Sequence, residues 1–122
     1  AQRTGLIVRH VTRDAPNAIP IDRVTCLYRI AQESLQNVLK HANASTVVIR
    51  LIGTSNGVGV CIHDDGKGFE EKEARARGLG LLSMEERARL MGGTFRIRTH
   101  PGVGTEVHAW VPLPDAQRDV AP

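Results

Sequence analysis

Aromatic residues are scarce: one Trp, one Tyr and two Phe among 122 residues. A surface that stacks successive nucleobases needs aromatic platforms, so a single-stranded nucleic-acid binder is not expected. Net charge is +3, too mild to bind a phosphate backbone by charge. Cysteine is rare too. Cys26 and Cys61 lie in apolar segments and read as small buried thiols in a reducing cytosol rather than a disulfide. No apolar run approaches the ~18 residues of a membrane span. Ala1-Gln2-Arg3-Thr4 leads into no apolar stretch of the signal-peptide kind. The expectation is a cytoplasmic monomer with no nucleic-acid partner and no membrane contact. What remains is ordinary for a soluble domain: 41% apolar and 24% charged residues. A chain of this length buries about two-thirds of its unfolded surface, so it needs neither disulfide nor structural metal to fold.

The β-rich run 6–12 predicts a strand. Pro16 and Pro20 bracket a loop, and Pro20 suits a helix start, where its missing N–H costs little. Val24, Leu27, Ala31, Leu35, Val38 and Ala42 recur at spacings of three and four and predict one helix over 22–42. Runs 46–52 and 58–63, joined by a Gly-containing turn, predict a hairpin. Residues 70–77 are almost wholly polar and read as a mobile loop. A helix over 81–91, stopped by Gly92-Gly93, precedes strands 94–100 and 105–111 around Pro101-Gly102-Val103-Gly104. Residues 115–122 read as a frayed tail after a single domain over 1–114. The order predicts an α+β fold, a two-layer α/β sandwich with a mixed, mostly antiparallel sheet covered by helices on one face.

Four clusters carry candidate chemistry. On the long helix, Glu33, Asn37, Lys40 and His41 form a polar stripe at 100° per residue, roughly opposite the apolar one. A carboxylate and an amide oxygen suit Mg²⁺, which takes oxygen ligands, and a Lys one turn on suits phosphate oxygens. The competing reading is a solvated helix face with ordinary i,i+4 pairs. The second cluster, Asp64-Asp65-Gly66-Lys67-Gly68-Phe69, follows a strand. A carboxylate there can accept a hydrogen bond from an exocyclic amine such as adenine N6; the alternative is a plain Asp-Gly turn. Gly78-Leu79-Gly80-Leu81 opens a helix whose first N–H groups can face an anion. The fourth, Pro101-Gly102-Val103-Gly104-Thr105, reads alone as a β-turn. Neither the Walker A spacing nor the dinucleotide fingerprint is present.

In order and spacing, these four clusters from Pro20 to Pro112 resemble the ATP-binding catalytic domain of two-component sensor histidine kinases, in the GHKL/HATPase superfamily shared with gyrase, Hsp90 and MutL. Gln32-Glu33-Ser34-Leu35-Gln36-Asn37-Val38-Leu39-Lys40-His41-Ala42 looks like the N-box of kinases paired with NarL-type response regulators. Other histidine kinases generally carry Asn where Glu33 stands. The resemblance implies a Bergerat-type ATP-binding fold with ATP and Mg²⁺ as cofactors. It implies Asn37 as Mg²⁺ ligand, with Glu33 beside it on a metal-bound water, and Lys40 and His41 on phosphates. It implies Asp64 on adenine N6 with help from Thr105, and Gly66 and Gly68 shaping the adenine pocket. Residues 70–77 become the ATP lid, with Gly78 and Gly80 as its hinge. Glu33, Asn37 and Lys40 form the expected catalytic set.

A complete kinase also needs a dimerising helical hairpin bearing the acceptor His. His10 lies in the strand-like Val8-Arg9-His10-Val11-Thr12, with no acidic neighbour, and does not fit that role. The chain therefore reads as the catalytic domain of a longer kinase, with the parent's dimerisation and phosphoacceptor domain as direct partner and a response regulator as indirect one. By itself it is expected not to autophosphorylate. The alternatives are an anti-sigma-factor serine kinase or another ATPase of the superfamily, and a docking module that has lost ATP.

Overall fold

The computed structural model describes residues 5–114; the expected tail 115–122 lies outside them. Five strands and three helices follow in the order β1 (Ile7–Arg13), α1 (Ile21–Asn37), β2 (Thr46–Gly53), β3 (Gly57–Asp64), α2 (Glu71–Ala76), α3 (Leu81–Leu90), β4 (Thr94–His100) and β5 (Gly104–Pro112). The sheet order is β1-β2-β3-β5-β4. β1 runs parallel to β2 at one edge, and every other pairing is antiparallel. The predicted hairpin forms with Ile49 opposite Ile62. The helices cover one face of this mixed sheet, as expected for the α+β sandwich. Their shared core includes Ile30, Val47, Val58, Ile62, Met84, Ala88, Val107 and Val111, all nearly or fully buried.

Period-2 alternation assigns the faces. Val58, Val60, Ile62 and Asp64 of β3 point toward the helices, as do Thr105, Val107, Ala109 and Val111 of β5, and all but half-buried Thr105 are buried. Cys26 and Cys61 are both free and buried, as expected, but Cys61 belongs to the opposite, outer face of the sheet.

The long helix departs from expectation twice. Its buried residues are Cys26, Leu27, Ile30 and Ser34, while Val24 is exposed. At 100° per residue, the packed stripe is turned by roughly 80° toward the polar cluster. Glu33 and Asn37 therefore stand at the edge of the buried face, not opposite it. The α-helix also ends at Asn37, and Val38–Ala42 form a π-helical turn capped by Asn43 in left-handed geometry. Such widened turns concentrate at functional sites. Lys40 and His41 lie in this last turn, where the helix dipole favours cations.

Residues 70–77 are not a loop. Glu71–Ala76 form the short helix α2, with Glu71 and Glu73 in its first turn and Arg75 in its last. Ala, Glu, Lys and Arg are good helix formers, and this charge order suits the dipole. Ala74 anchors the helix, fully buried, and the Arg77 guanidinium lies 5.1 Å over the Phe69 ring, a cation–π contact. Beyond α3, the Gly92 N–H donates to Arg89 O at 2.9 Å and the Gly93 N–H to Ala88 O at 2.8 Å. This glycine stop is the one the sequence predicts.

Candidate functional site: a cavity between the long helix and the sheet

One end of α1, the end of β3, the start of β5 and the α2–α3 connection enclose a small cavity. Its lining includes Ser34 and Asn37 from α1, Asp64 and Thr105 from the sheet, and Phe69, Ala74 and Leu79 from the segment between. Its volume is about 30 Å³, room for a water or two and far below an adenine ring. Ala74 and Leu79 close it from the α2 side.

Asp64 forms the polar floor. Its side chain is buried, and Oδ1 accepts the Gly66 N–H at 2.7 Å. Burial raises its pKa above the ordinary value, against the lowering effect of the Gly66 and Thr105 backbone bonds and of His63. Asp64 and Thr105 are register partners, so the sheet itself sets them side by side. The Thr105 hydroxyl shares a 2.8 Å hydrogen bond with Thr99 Oγ1, which accepts the Phe69 N–H at 2.9 Å. Thr99 is almost fully buried, and the sequence reading missed it. The available signal was its parity with Ile97 on the inward face of β4. Asp65, next to Asp64, does a different job. Its Oδ1 accepts the Ser45 and Thr46 N–H groups at 2.8 and 2.9 Å, and those two bonds are the main cause of its lowered pKa.

The α1 edge supplies the other half. Asn37 Nδ2 donates to Leu79 O at 2.7 Å. That bond assigns the amide, because a carbonyl can only accept, and it leaves Oδ1 as an acceptor that a ligand could use. Glu33 lies against Gly80: a Cβ there would stand 2.5 Å from Glu33 Oε2. Gly80 caps α3 with φ +76, so glycine is required both for the left-handed backbone and for the approach of the carboxylate. Glu33, Asn37, the Leu79 carbonyl and the start of α3 thus form one constellation. Ser34 lies one turn back and donates to Met84 Sδ at 3.5 Å, tying α1 to α3.

Other expected residues sit further out. Lys40 is exposed and His41 half-buried in the π-helical turn, and neither lines the cavity. Gly66 and Gly68 do not line it either. Gly66 packs on the Ala42 backbone, and the neighbouring Lys67 N–H donates to Ala42 O at 2.8 Å. Gly68 packs on the His100 carbonyl. Their small size lets the post-β3 loop dock between the end of α1 and the β4–β5 turn, which positions Asp64 indirectly. Gly78 is exposed in the α2–α3 connection.

Residues 22–115 match the family described as histidine kinase-, DNA gyrase B-, and HSP90-like ATPase. The chain is 34% identical over 114 residues to the signal transduction histidine-protein kinase/phosphatase DegS of Brevibacillus brevis, covering 92% of this chain and 29% of that protein. It is 38% identical over 87 residues to the sensor protein VraS of Staphylococcus aureus, covering 71% of this chain and 25% of that one. The chain thus spans less than a third of the length of these relatives. Among solved structures, the ATP binding domain of PrrB from Mycobacterium tuberculosis superposes with a TM-score of 0.64 at 25% identity, over 87% of this chain and 81% of that one. A blue-light activated histidine kinase of Erythrobacter litoralis shares the fold at a TM-score of 0.71 and 23% identity, over 93% of this chain and 37% of that one. With a family match over most of its length, the chain belongs to the histidine kinase-, DNA gyrase B- and HSP90-like ATPases, as the ATP-binding domain of a histidine kinase.

Proposed function

We propose that this domain binds Mg·ATP between α1 and the α2–α3 connection and presents the γ-phosphate to a histidine on the phosphoacceptor domain of its parent kinase. The observation that carries the reading is the pairing of a buried, hydrogen-bonded Asp64 on the cavity floor with a free amide oxygen at Asn37 on its rim. A carboxylate has about four lone-pair sites, so Asp64, with its backbone bonds from Gly66 and Thr105, keeps acceptor capacity for an amino donor such as adenine N6. The Thr99–Thr105 pair fixes the hydroxyl beside it.

Asn37 Oδ1 and the Glu33 carboxylate are oxygen donors of the type Mg²⁺ takes, and they leave room for the waters it retains. Bound there, Mg²⁺ would supply charge neutralisation at the phosphates. The chain's own contributions are the α3 N-terminus, whose first N–H groups favour an anion, and the Lys40 and His41 side chains. Glu33 orients a water rather than acting as a base, because the nucleophile in this transfer is an imidazole. Gly78 and Gly80 let the α2–α3 connection swing outward so that α2 and Leu79 clear the cavity. The parent kinase would act on a response regulator of the NarL type. Support for that pairing comes from the Gln32–Ala42 segment and the likeness to DegS and VraS.

Calorimetric titration with Mg·ATP, Mg·ADP and adenosine tests the reading. The expected result is saturable 1:1 binding of all three, with Mg²⁺ strengthening only the phosphorylated ligands. Failure of ATP to bind under any metal condition overturns it.

A further inference from the structure

The outer face of the sheet carries a second cluster that the nucleotide site does not use. Glu106 and His108 are two residues apart on β5 and so share a face. His108 is the register partner of Cys61 on β3. Cys61 Sγ lies 3.7 Å from His108 Nε2 and 3.7 Å from Glu106 Oε2, and His108 Nε2 lies 3.2 Å from Glu106 Oε2. A tetrahedral zinc with bonds of about 2.3 Å to sulfur and about 2.0 Å to nitrogen and oxygen sets its ligand atoms about 3.5 Å apart for S···N and S···O and about 3.3 Å for N···O. The observed triangle meets those edges within about 0.2 Å.

The geometry points to a zinc-binding site formed by Cys61, Glu106 and His108 on the outer sheet face. Thiolate, imidazole and carboxylate are the three side-chain ligands zinc uses, and three of them leave the fourth position to water. The ligands stand on β3 and β5, both interior strands of the sheet, so little order remains to be imposed on binding. A groove of about 520 Å³ passes over Cys61 and His108 between Ile52 and Trp110 and provides the entry path.

Arg50 of β2 and Arg96 and Arg98 of β4 share this face by register, with His63 of β3 beside Glu106. These cations would oppose a bare dication. Zinc with one thiolate and one carboxylate is neutral, so the arginines meet no net charge in the filled site. Binding is balanced by a proton: the Cys61 S–H bond breaks, a Cys61 S–Zn bond forms, and one proton passes to solvent. Without metal, the same three atoms form a hydrogen-bonded cluster in which the thiol donates to Glu106.

The test is zinc titration of the reduced protein in competition with a chromophoric chelator, run on wild type, Cys61→Ser and Cys26→Ser. One zinc per chain is expected. Cys61→Ser should weaken binding by more than about 100-fold, since loss of an outer-shell partner alone costs about 10–100-fold. Cys26, on α1 and remote from the cluster, should be replaceable without effect. Wild-type protein titrated with Co²⁺ should show a thiolate-to-cobalt charge-transfer band with intense tetrahedral d–d bands, a readout that does not depend on any variant folding. The absence of stoichiometric zinc, binding unchanged in Cys61→Ser, or a cobalt spectrum lacking the charge-transfer band would each overturn the site. None of these outcomes bears on nucleotide binding.

Discussion

In the proposed site, Asp64 and Asn37 would divide the work of recognition by the kind of atom each leaves unpaired. In Asp64→Asn, Oδ1 can still accept the Gly66 N–H, but the amide NH₂ then meets another donor at adenine N6. An unsatisfied polar contact of this kind costs about 1–3 kcal/mol, so ATP and adenosine should both bind about 5–150-fold more weakly in calorimetry. The same variant should be at least as stable as wild type near neutral pH. Burial raises the folded-state pKa of Asp64 above 3.8, so the folded state holds that proton more tightly than the unfolded one. Stability then falls as pH climbs from the unfolded pKa through the raised folded value, and above that window the whole penalty remains. Melting curves should place Asp64→Asn at or above wild type near pH 7, with the difference closing as pH drops toward 3.8 and below. A variant less stable than wild type at neutral pH would contradict this account. For Asn37→Ala, the expected loss falls on the Mg²⁺-dependent part of ATP affinity, with adenosine nearly spared. Equal loss for both ligands would make Asn37 a fold residue acting through its Leu79 bond.

The α2–α3 connection and α2 wall the cavity on one side, with Ala74 and Leu79 in its lining. α2 has six residues, well short of the ~12–15 at which an isolated helix becomes marginal in water, so Ala74, Phe69 and Arg77 must hold it in place. Amides of α2 should exchange with deuterium much faster than those of Val60 and Ile62 in β3, because local opening costs less than global unfolding. Matching protection in the two elements would mean that α2 opens only with the whole domain. Gly80→Ala brings two faults to one position: a left-handed φ of +76 and a Cβ at the Glu33 carboxylate. It should destabilise the domain by about 1–2 kcal/mol from the backbone alone and weaken ATP more than adenosine, because the phosphate end of the site is displaced. Unchanged melting and unchanged ATP affinity would show that the Glu33–Gly80 contact has no bearing on the site.

At the scale of the molecule, the proposed nucleotide cavity lies at one end of the sheet, and no histidine is among the residues that line it. In-line transfer needs the acceptor within about 3–3.5 Å of the phosphorus, and the proposed acceptor belongs to another domain. Residues 1–122 incubated with γ-labelled ATP should therefore not label themselves. Adding the parent's dimerisation and phosphoacceptor domain should restore acid-labile labelling at a rate proportional to its concentration, since the parts are untethered. Self-labelling of residues 1–122, or acid-stable labelling of a serine on a supplied partner, would refute the proposed transfer.

Much of this was legible in the chain. Strand and helix boundaries fell within a residue or two wherever Gly, Pro or a strong β-run marked them, as at Pro20, Gly92-Gly93 and Pro101-Gly102, because local backbone preference acts over a few residues. The four clusters were legible for the same reason: each is a short segment whose residue types and spacing survive without tertiary contacts. α2 was misread because a polar segment gives no periodic apolar signal; its helix formers and charge order were visible, but six residues do not hold a helix by propensity, and the burial of Ala74 decides it. The rotation of α1 was misread because Val24 and Leu35 fit the helical period as well as Ile30 does; packing against α3 and the sheet chose Cys26, Ile30 and Ser34 instead. That choice turned Asn37 toward the cavity and Glu33 toward Gly80. Thr99 beside Thr105, the Leu79 carbonyl on Asn37 and Cys61 beside His108 join residues far apart in the chain. Strand register and helix packing create those distances, and no local pattern encodes them.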